Sequence, residues 1–321
     1  MTKIRLGTRK SRLAMWQTEH VAAKLKKLDQ TIEVEIVPIV TLGDRVTDKP
    51  LAELGGTAVF TKEIEAALLQ NDCDIAVHSL KDLATVMPDG LIIGAYLPRE
   101  DPRDVFVSKD GTSLQELPAG KVIGTSSLRR VSMVKHLRPD LTVVPLRGNV
   151  PTRLGAVGKE AKDAKPYSGE ALDGTVMAAA GVKRLGYGKL VTDFLPPDVF
   201  LPAPGQGVIA LQIRAQDDSA IAIAAQLNCA RTKLAAVAER TFLNVMEGGC
   251  RLPIGAFSTF TDTTVDLSGI ILSPDGRKTV KGHVEGTDPV TVGTQLAQDL
   301  LARGGKEILD AVRDSLPGSD K

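Results

Sequence analysis

Basic residues cluster at three places where a predicted strand is followed by a helix. The clusters lie at 7–12 (GTRKSR), 124–130 (GTSSLRR) and 146–153 (LRGNVPTR). The first turn of a helix exposes unpaired N–H groups and a positive dipole end, so it favours anions, and guanidinium groups suit planar oxyanions. Together the clusters predict a cleft that binds several carboxylates or phosphates. Arg184, in 181–186 (GVKRLG), is a further candidate; the alternative for any one of these arginines is a solvated or dipole-balancing side chain.

A lysine and an aspartate follow a buried strand in the segment 74–82 (DIAVHSLKD). The carboxyl ends of strands are where α/β folds place their chemistry, so Lys81 and Asp82 are candidates for a functional role. The alternative is an exposed salt bridge at a strand end. His78 has apolar neighbours and is interpreted as a hydrogen-bonded structural histidine. The chain has four histidines and no set of ligand partners, so no metal site is predicted.

Cys250 lies on a glycine-rich loop after a long predicted helix, in the sequence EGGCRLP. Glycines let a backbone approach another group closely, so Cys250 is a candidate for a reactive or modified thiol. Cys73 and Cys229 lie beside apolar segments and are interpreted as packing or incidental thiols. Three widely spaced cysteines do not suit a disulfide framework, which favours a reducing compartment.

Composition excludes several classes of protein. The 321 residues are 43% hydrophobic and 25% charged with a net charge of +1, which is typical of a packed chain of two or three domains and not of a general nucleic-acid binder. Neither a P-loop, an H-E-x-x-H segment nor a G-x-G-x-x-G turn is found, which disfavours ATP, zinc and NAD. The longest apolar stretches fall short of a membrane span, and the charged N-terminus has no signal-peptide core, so we expect a cytoplasmic protein without membrane contact.

The elements that must position these residues alternate between strands and helices, which indicates α/β layers. A first unit begins with a strand at Ile4 and Leu6, and the alternation restarts near Val122. The Pro- and Gly-rich run LPAPGQG marks a change of domain. Further predictions are a helix over 128–137, a charged surface loop over 158–169, and helical patterns over 218–245 and 290–312.

Seven ordered segments resemble those of the porphobilinogen deaminases, also called hydroxymethylbilane synthases, over almost the whole chain. They are GTRKSRLA, DIAVHSLKDL, IGTSSLRR, LRGNVPTRL, AAAGVKRLG, LPAPGQG and ERTFLNVMEGGCRLPIG. The resemblance implies an α/β fold of three domains, the first two similar to type II periplasmic binding protein domains around a cleft and the third a small α+β domain. The implied limits are 1–100 plus 208–225 for the first domain, 104–201 for the second, 202–207 for a hinge and 226–321 for the third.

The resemblance also implies a transferase of tetrapyrrole biosynthesis. Such an enzyme joins four porphobilinogen molecules stepwise into the linear hydroxymethylbilane and releases ammonia at each step. Every pyrrole carries an acetate and a propionate, so the growing chain is a ladder of carboxylates that suits an arginine-rich cleft. By resemblance, a dipyrromethane cofactor is attached through a thioether to Cys250, Asp82 is the catalytic residue, and the protein is a monomer.

The remaining site residues are carried over by motif match. The positions implied to hold the cofactor are Lys81, Ser79, Ser127, Arg129, Arg130 and Arg153. The positions implied to contact the substrate or the growing chain are Arg9, Ser11, Arg147, Arg153 and Arg184, with Phe60 resembling a lid over the site. Departures from the family pattern are Thr57 for a common lysine, Arg12 and Ala84 for common prolines, and a longer loop before Leu172.

Two other functions are compatible with parts of the sequence. One is a carboxylate-binding protein without catalysis on the same two-domain scaffold. The other is a hydrolase that uses Cys250 as nucleophile with His78, for which no oxyanion or orienting partner is visible. Loss of activity in Asp82→Asn with the fold retained would support the transferase and be unexplained by the hydrolase.

Overall fold

The computed structural model describes residues 3–45, 60–165, 167–169, 171–247, 252–261 and 263–315. The strands are β1 (Lys3–Arg9), β2 (Glu33–Ile39), β3 (Ile75–Ser79), β4 (Leu91–Tyr96), β5 (Asp104–Ser108), β6 (Val122–Gly124), β7 (Thr142–Val144), β8 (Gly174–Ala178), β9 (Asp193–Leu195), β10 (Ile209–Arg214), β11 (Ile254–Phe260), β12 (Val265–Leu272) and β13 (Thr279–Gly286). The α-helices are α1 (Arg12–Leu28), α2 (Leu42–Arg45), α3 (Lys62–Leu69), α4 (Leu128–Leu137), α5 (Val150–Ala156), α6 (Ala179–Arg184), α7 (Asp218–Ala225), α8 (Ala230–Val245), α9 (Pro289–Leu300) and α10 (Lys306–Ser315).

The first sheet has the strand order β2-β1-β3-β10-β4. β1 runs parallel to β2 and β3, whereas β10 is antiparallel to both β3 and β4. β3 is an apolar run buried along nearly its whole length, as expected for a central strand covered on both faces. Helix α1 packs Val21 and Leu25 into the core on one face, with Leu6 and Ile75 from the strands. The late strand β10 therefore returns to the unit with which the chain begins.

The second sheet repeats this arrangement with the order β7-β6-β8-β5-β9. β6 is parallel to β7 and β8, and β5 is antiparallel to β8 and β9. Phe106 and Val176 pack in the core on one side of the sheet, and Val105 and Met177 in the core on the other. The chain passes between the two sheets at 97–103 and again at 196–208, so two crossing segments lie between the units.

A third unit consists of the antiparallel sheet β11-β12-β13 with helices α8 and α9 packed on it. Phe242 and Leu296 meet Leu267 of the middle strand in its core. Within the residues described, no helix is long and apolar enough to cross a membrane. The predicted α/β class with a third, small α+β unit is confirmed, while the exact domain limits and the hinge at 202–207 stay predictions.

Two predicted helices are each divided. The pattern over 218–245 forms α7 and α8, because Asn228 accepts a hydrogen bond from Tyr96 N at 3.0 Å and Cys229 N donates to Tyr96 O at 2.8 Å. The pattern over 290–312 forms α9 and α10, separated by a π turn in which Gly304 has φ of +103°. Glycine adopts this left-handed conformation readily, so the helix axis can change direction there.

Candidate functional site

One pocket at the carboxyl ends of β1 and β3 is lined by five of the predicted site residues. They are Arg9, Ser11, Phe60, Ser79 and Asp82. Asp82 ends a short 3₁₀ turn, Leu80–Asp82, that follows β3 directly. The loops after the parallel strands β1 and β3 lie at the same edge of the sheet, which explains why residues far apart in sequence meet here.

Local contacts fix the walls of this pocket. Ser11 is the N-cap of α1 and accepts a hydrogen bond from Ala14 N at 3.3 Å. The guanidinium carbon of Arg9 lies 4.0 Å from the centre of the Phe60 ring, a cation–π contact. Ser79 Oγ accepts a hydrogen bond from Gln17 Nε2 at 2.9 Å. The pocket therefore presents one carboxylate, hydroxyl groups and a guanidinium group together.

Lys81 belongs to a group of charges that surrounds Asp82. Burial lowers the pKa of the Lys81 ammonium to about 8, and the charge of Arg130 adds to this effect. Burial also lowers the pKa of Arg153 to about 10, with further lowering from Arg130 and Arg147, while Asp82 acts in the opposite direction. These electrostatic interactions show that Lys81 and Asp82 of the first unit lie close to Arg130 and Arg153 of the second unit.

Arg129 and Arg130, at the start of α4, share a single buried counter-ion. Arg129 Nη1 donates to Asp104 Oδ2 at 2.6 Å and to Leu201 O at 2.7 Å, while Arg130 Nη2 donates to Asp104 Oδ1 at 2.8 Å. Burial alone would raise the pKa of Asp104, but the charges of Arg129 and Arg130 lower it to about 2. Asp104 is therefore ionised, and it balances only one of the two guanidinium charges.

Ser127 and Arg184 complete the predicted set in the second unit. Ser127 is the N-cap residue of α4, and its side chain makes no capping hydrogen bond there. Arg184 ends α6 and donates from Nη2 to Gly207 O at 2.8 Å. Burial lowers the pKa of Arg184 to about 10. Arg184 of the second unit is thus bound to the crossing segment 196–208, just before that segment enters the first sheet at β10.

Cys250 and Thr57 lie outside the described residues. The helix that precedes the Cys250 segment, α8, is nevertheless tied to the backbone that follows Asp82. Arg240 of this helix donates to Leu83 O at 3.3 Å, Ala84 O at 2.6 Å and Thr85 O at 3.2 Å. The third unit therefore holds the loop that directly follows Asp82.

The donor set fits the multi-carboxylate dipyrromethane that the resemblance implies. Cations outnumber carboxylates in this part of the described chain: Lys81, Arg129, Arg130, Arg147 and Arg153 stand against Asp82 and Asp104. Burial is the main cause of the lowered pKa values of Lys81 and Arg153, and the charge of Arg130 lowers both further, so an anionic ligand beside these cations would offset part of this effect. Ammonium, guanidinium and hydroxyl groups are also the donors that bind carboxylates.

Several residues of this site carry no role in the sequence-based predictions. Gln206 lies in LPAPGQG but is interpreted there only as part of a linker. Asp104 and Gln17 are likewise unassigned, as is Arg240. The signal that points to Asp104 is a carboxylate in DPRD at the beginning of a buried strand, where an unpaired charge would be costly.

Comparison with known proteins gives one consistent family. The family model "Porphobilinogen deaminase, dipyromethane cofactor binding domain" matches residues 4–222, and the model of the C-terminal domain of the same family matches residues 233–302. Porphobilinogen deaminase of Brevibacillus brevis is 44% identical over 97% of this chain and 98% of its own length. The Bacillus subtilis porphobilinogen deaminase is 43% identical, with 100% of both chains covered.

Among solved structures, the substrate-binding domain of a molybdenum ABC transporter from Clostridium difficile is similar to this chain with a TM-score of 0.41 and 12% identity. That similarity covers 72% of this chain and 93% of the other. Because both family models match and the named relatives cover nearly the full length, this chain belongs to the porphobilinogen deaminase family.

Proposed function

We propose that this chain condenses four porphobilinogen molecules stepwise into hydroxymethylbilane, with release of ammonia, using a dipyrromethane attached to Cys250 as primer. The observation that carries the proposal is the carboxylate of Asp82, which lies just after β3 at the pocket, next to a group of cations from both units. The family membership supports the same activity. When bound, the dipyrromethane supplies the terminal pyrrole carbon to which substrate is joined.

The cations hold the carboxylates of the pyrroles. Lys81 and Arg130 face each other near Gln206, while Ser79 and Ser127 add hydroxyl donors. Arg129 acts through Asp104, because its guanidinium is committed to that carboxylate and to Leu201 O. Arg153 and Arg147 extend the positive surface in the second unit, where additional acetate and propionate groups bind as the product lengthens.

Asp82 carries out the proton chemistry. Each condensation forms a carbon–carbon bond, breaks the carbon–nitrogen bond of the aminomethyl group and removes a proton from a pyrrole carbon. A carboxylate in hydrogen-bonding range of the pyrrole N–H groups stabilises the positive charge that develops and assists the proton transfers. Arg9 and Ser11 line the same pocket and bind the incoming substrate's carboxylates, with Phe60 packed on Arg9 as the cover.

A carboxylate receptor without catalysis has less support than the transferase. A receptor needs the cations but has no use for Asp82 in their midst. A cysteine hydrolase using His78 is also disfavoured, because burial lowers the pKa of His78 to about 4 and makes it a weak base. We further propose a cytoplasmic monomer, for which the unpaired Cys73 and Cys229 of the described chain support a reducing environment.

Intact mass and turnover together test this function. We expect the native chain to be heavier than its sequence by two condensed porphobilinogen units, and Cys250→Ala to lack the excess. Asp82→Asn should lower the rate of porphobilinogen consumption about a hundredfold or more with unchanged circular dichroism. Asp89→Asn, an exposed carboxylate of the following loop, is the matched control and should keep the native rate. A native rate in Asp82→Asn would contradict the proposed role of that residue.

A further inference from the structure

Gln206 is completely buried where the chain crosses between the first two sheets. The glycines on both sides have positive φ angles, +73° at Gly205 and +89° at Gly207. A Cβ at Gly207 would come within 2.4 Å of Glu100 O, so this segment packs tightly against the other crossing segment. The backbone around Gln206 is therefore held in one conformation, which fixes the position from which the Gln206 side chain extends.

The side-chain amide of Gln206 is bound at both ends. Nε2 donates to Pro102 O at 2.8 Å, to Asp104 Oδ1 at 3.1 Å and to Arg103 O at 3.3 Å. These acceptors fix the orientation of the amide, because the flipped amide would turn its NH₂ group towards two cations.

The amide oxygen accepts hydrogen bonds from those two cations. Lys81 Nζ lies 3.3 Å from Gln206 Oε1, and Arg130 Nη2 lies 3.5 Å from the same atom. The two cations come from different units, since Lys81 follows β3 of the first sheet and Arg130 lies on α4 beside the second. Like charges repel, so they stay together only if neutral acceptors or anions lie between or next to them.

We propose that Gln206 is a positioning residue for the condensation: its amide oxygen holds the Lys81 ammonium and the Arg130 guanidinium side by side, so that both bind one carboxylate of the bound pyrrole chain. This inference rests on the proposed function. Asp104 anchors the other end of the amide and the Arg130 guanidinium at once. Gln206 lies on the crossing segment 196–208, which connects the first two units. It can therefore hold Lys81 of the first unit next to Arg130 of the second.

A pH titration of Lys81 tests the contact without using activity. In full-length protein carrying Cys250→Ala, so that no covalent ligand covers the site, acetylation of Lys81 is followed against pH by peptide mapping. The groups that act on Lys81 are Arg130, Asp82, Asp104 and Arg129, and its midpoint should lie near 8. Gln206→Met removes the acceptor and should lower the midpoint. Gln206→Glu puts a negative charge there and should raise it.

Two controls make the result specific. Gln212 is equally buried and donates to Glu65, away from Lys81, so Gln212→Met should leave the Lys81 midpoint unchanged. If neither Gln206 variant folds, the test uses protein that keeps the native Gln206. The NMR chemical shift of the Gln206 side-chain carbonyl carbon is then followed against pH, and it should change with the same midpoint as Lys81. Folded Gln206 variants with an unchanged midpoint, or a Gln206 signal that does not follow Lys81, would overturn the inference.

Turnover separates this inference from the proposed function. In the cofactor-loaded enzyme, Gln206→Met should lower kcat about ten- to a hundredfold, because misplacement of binding groups by about 1 Å has that effect. Absence of turnover in the wild-type protein would refute the function and leave the Lys81 result standing. Normal turnover in Gln206→Met, with a shifted midpoint, would show that the contact exists but does not position the pair for the reaction.

Discussion

Arg12, the first residue of α1 in the first unit, donates from Nη1 to the hydroxyl of Tyr187, 2.8 Å away in the second unit. The same nitrogen donates to Lys162 O at 3.1 Å and lies 3.7 Å from Asp163 Oδ2. The guanidinium therefore fastens α1 to the charged loop 158–169. Arg12 thus links the first unit to the second through this loop and through Tyr187.

Arg12→Ala should make the 158–169 loop more sensitive to trypsin, which can cleave after Lys159 and Lys162 of that loop. The lost hydrogen bond is partly exposed and charge-assisted and contributes about 1 kcal/mol. Its loss raises the population of protease-accessible loop conformations about fivefold, and the rate of cleavage rises by the same factor. Initial cleavage rates measured by mass spectrometry check this. Lys10 is an exposed neighbour, and the Lys10→Ala variant should be cleaved at the native rate. Equal cleavage rates in Arg12→Ala and Lys10→Ala would show that Arg12 does not restrain the loop.

Asp104→Asn should lower the free energy of unfolding more than the same substitution at any surface aspartate. The side chain of Asp104 is 0% exposed and pairs with Arg129 and Arg130, whose side chains are 4% and 7% exposed. Removal of its charge leaves two buried guanidinium groups without a counter-ion, a change that costs about 3–5 kcal/mol. Urea unfolding measures this loss. Asp299→Asn, in an exposed pair with Arg303, should cost less than about 1 kcal/mol.

His78 should make the protein less stable in mild acid. Burial, with a smaller effect from the charge of Arg9, lowers its pKa from 6.5 to about 4 in the folded protein. Between these values the unfolded chain binds a proton that the folded chain does not, so stability present above pH 6.5 is lost as the pH falls. From about pH 7 to about pH 5 the loss amounts to about 2 kcal/mol.

His78→Asn should remove that part of the pH dependence. Urea unfolding of both proteins at the two pH values gives the difference directly, and contributions from other groups cancel. The exposed His283 provides a control, since His283→Asn should keep the full acid sensitivity. An unchanged acid sensitivity in His78→Asn would show that another group is responsible.

Trp16, the single tryptophan of the chain, should report events at the contact between the first two units. Its ring stacks on His20 with centres 5.1 Å apart, and the guanidinium carbon of Arg184 lies 5.7 Å from the Trp16 ring centre. A protonated imidazole quenches a stacked indole, so fluorescence should fall on acidification. Burial, then the charges of Lys24 and Arg184, lowers the pKa of His20 below 6.5, which places the midpoint below that value.

Arg184→Met removes one of these charges and should move the quenching midpoint upwards. His20→Asn should abolish the transition, and Lys10→Met, a cation that does not act on His20, should leave it in place. The measurement is a fluorescence titration of each variant. An identical midpoint in wild type and Arg184→Met would contradict the contact between α6 and α1.

Local elements could be predicted from the sequence because their causes are local. The helix over 128–137 follows from its apolar spacing, and the strand within 74–80 follows from a short, mostly apolar run that is typical of a buried strand. Seven ordered segments were sufficient to indicate the family, which the comparisons show. The cationic character of the site also follows from sequence, since three Arg-bearing strand–helix junctions must meet at the edges of α/β sheets.

Tertiary structure decided which partner each charged group has. Arg129 and Arg130 carry the same charge in the sequence as Arg9 or Arg153, yet their guanidinium groups are bound by Asp104, because folding brings α4 against the start of β5. The break between α7 and α8 likewise depends on Tyr96, more than 130 residues from Asn228. Hydrogen bonds over such separations are set by packing and topology, so neither periodicity nor motif spacing contains them. Gln206 is the clearest example, because its neighbours in the sequence indicate only a turn, and its role arises where two chain crossings meet.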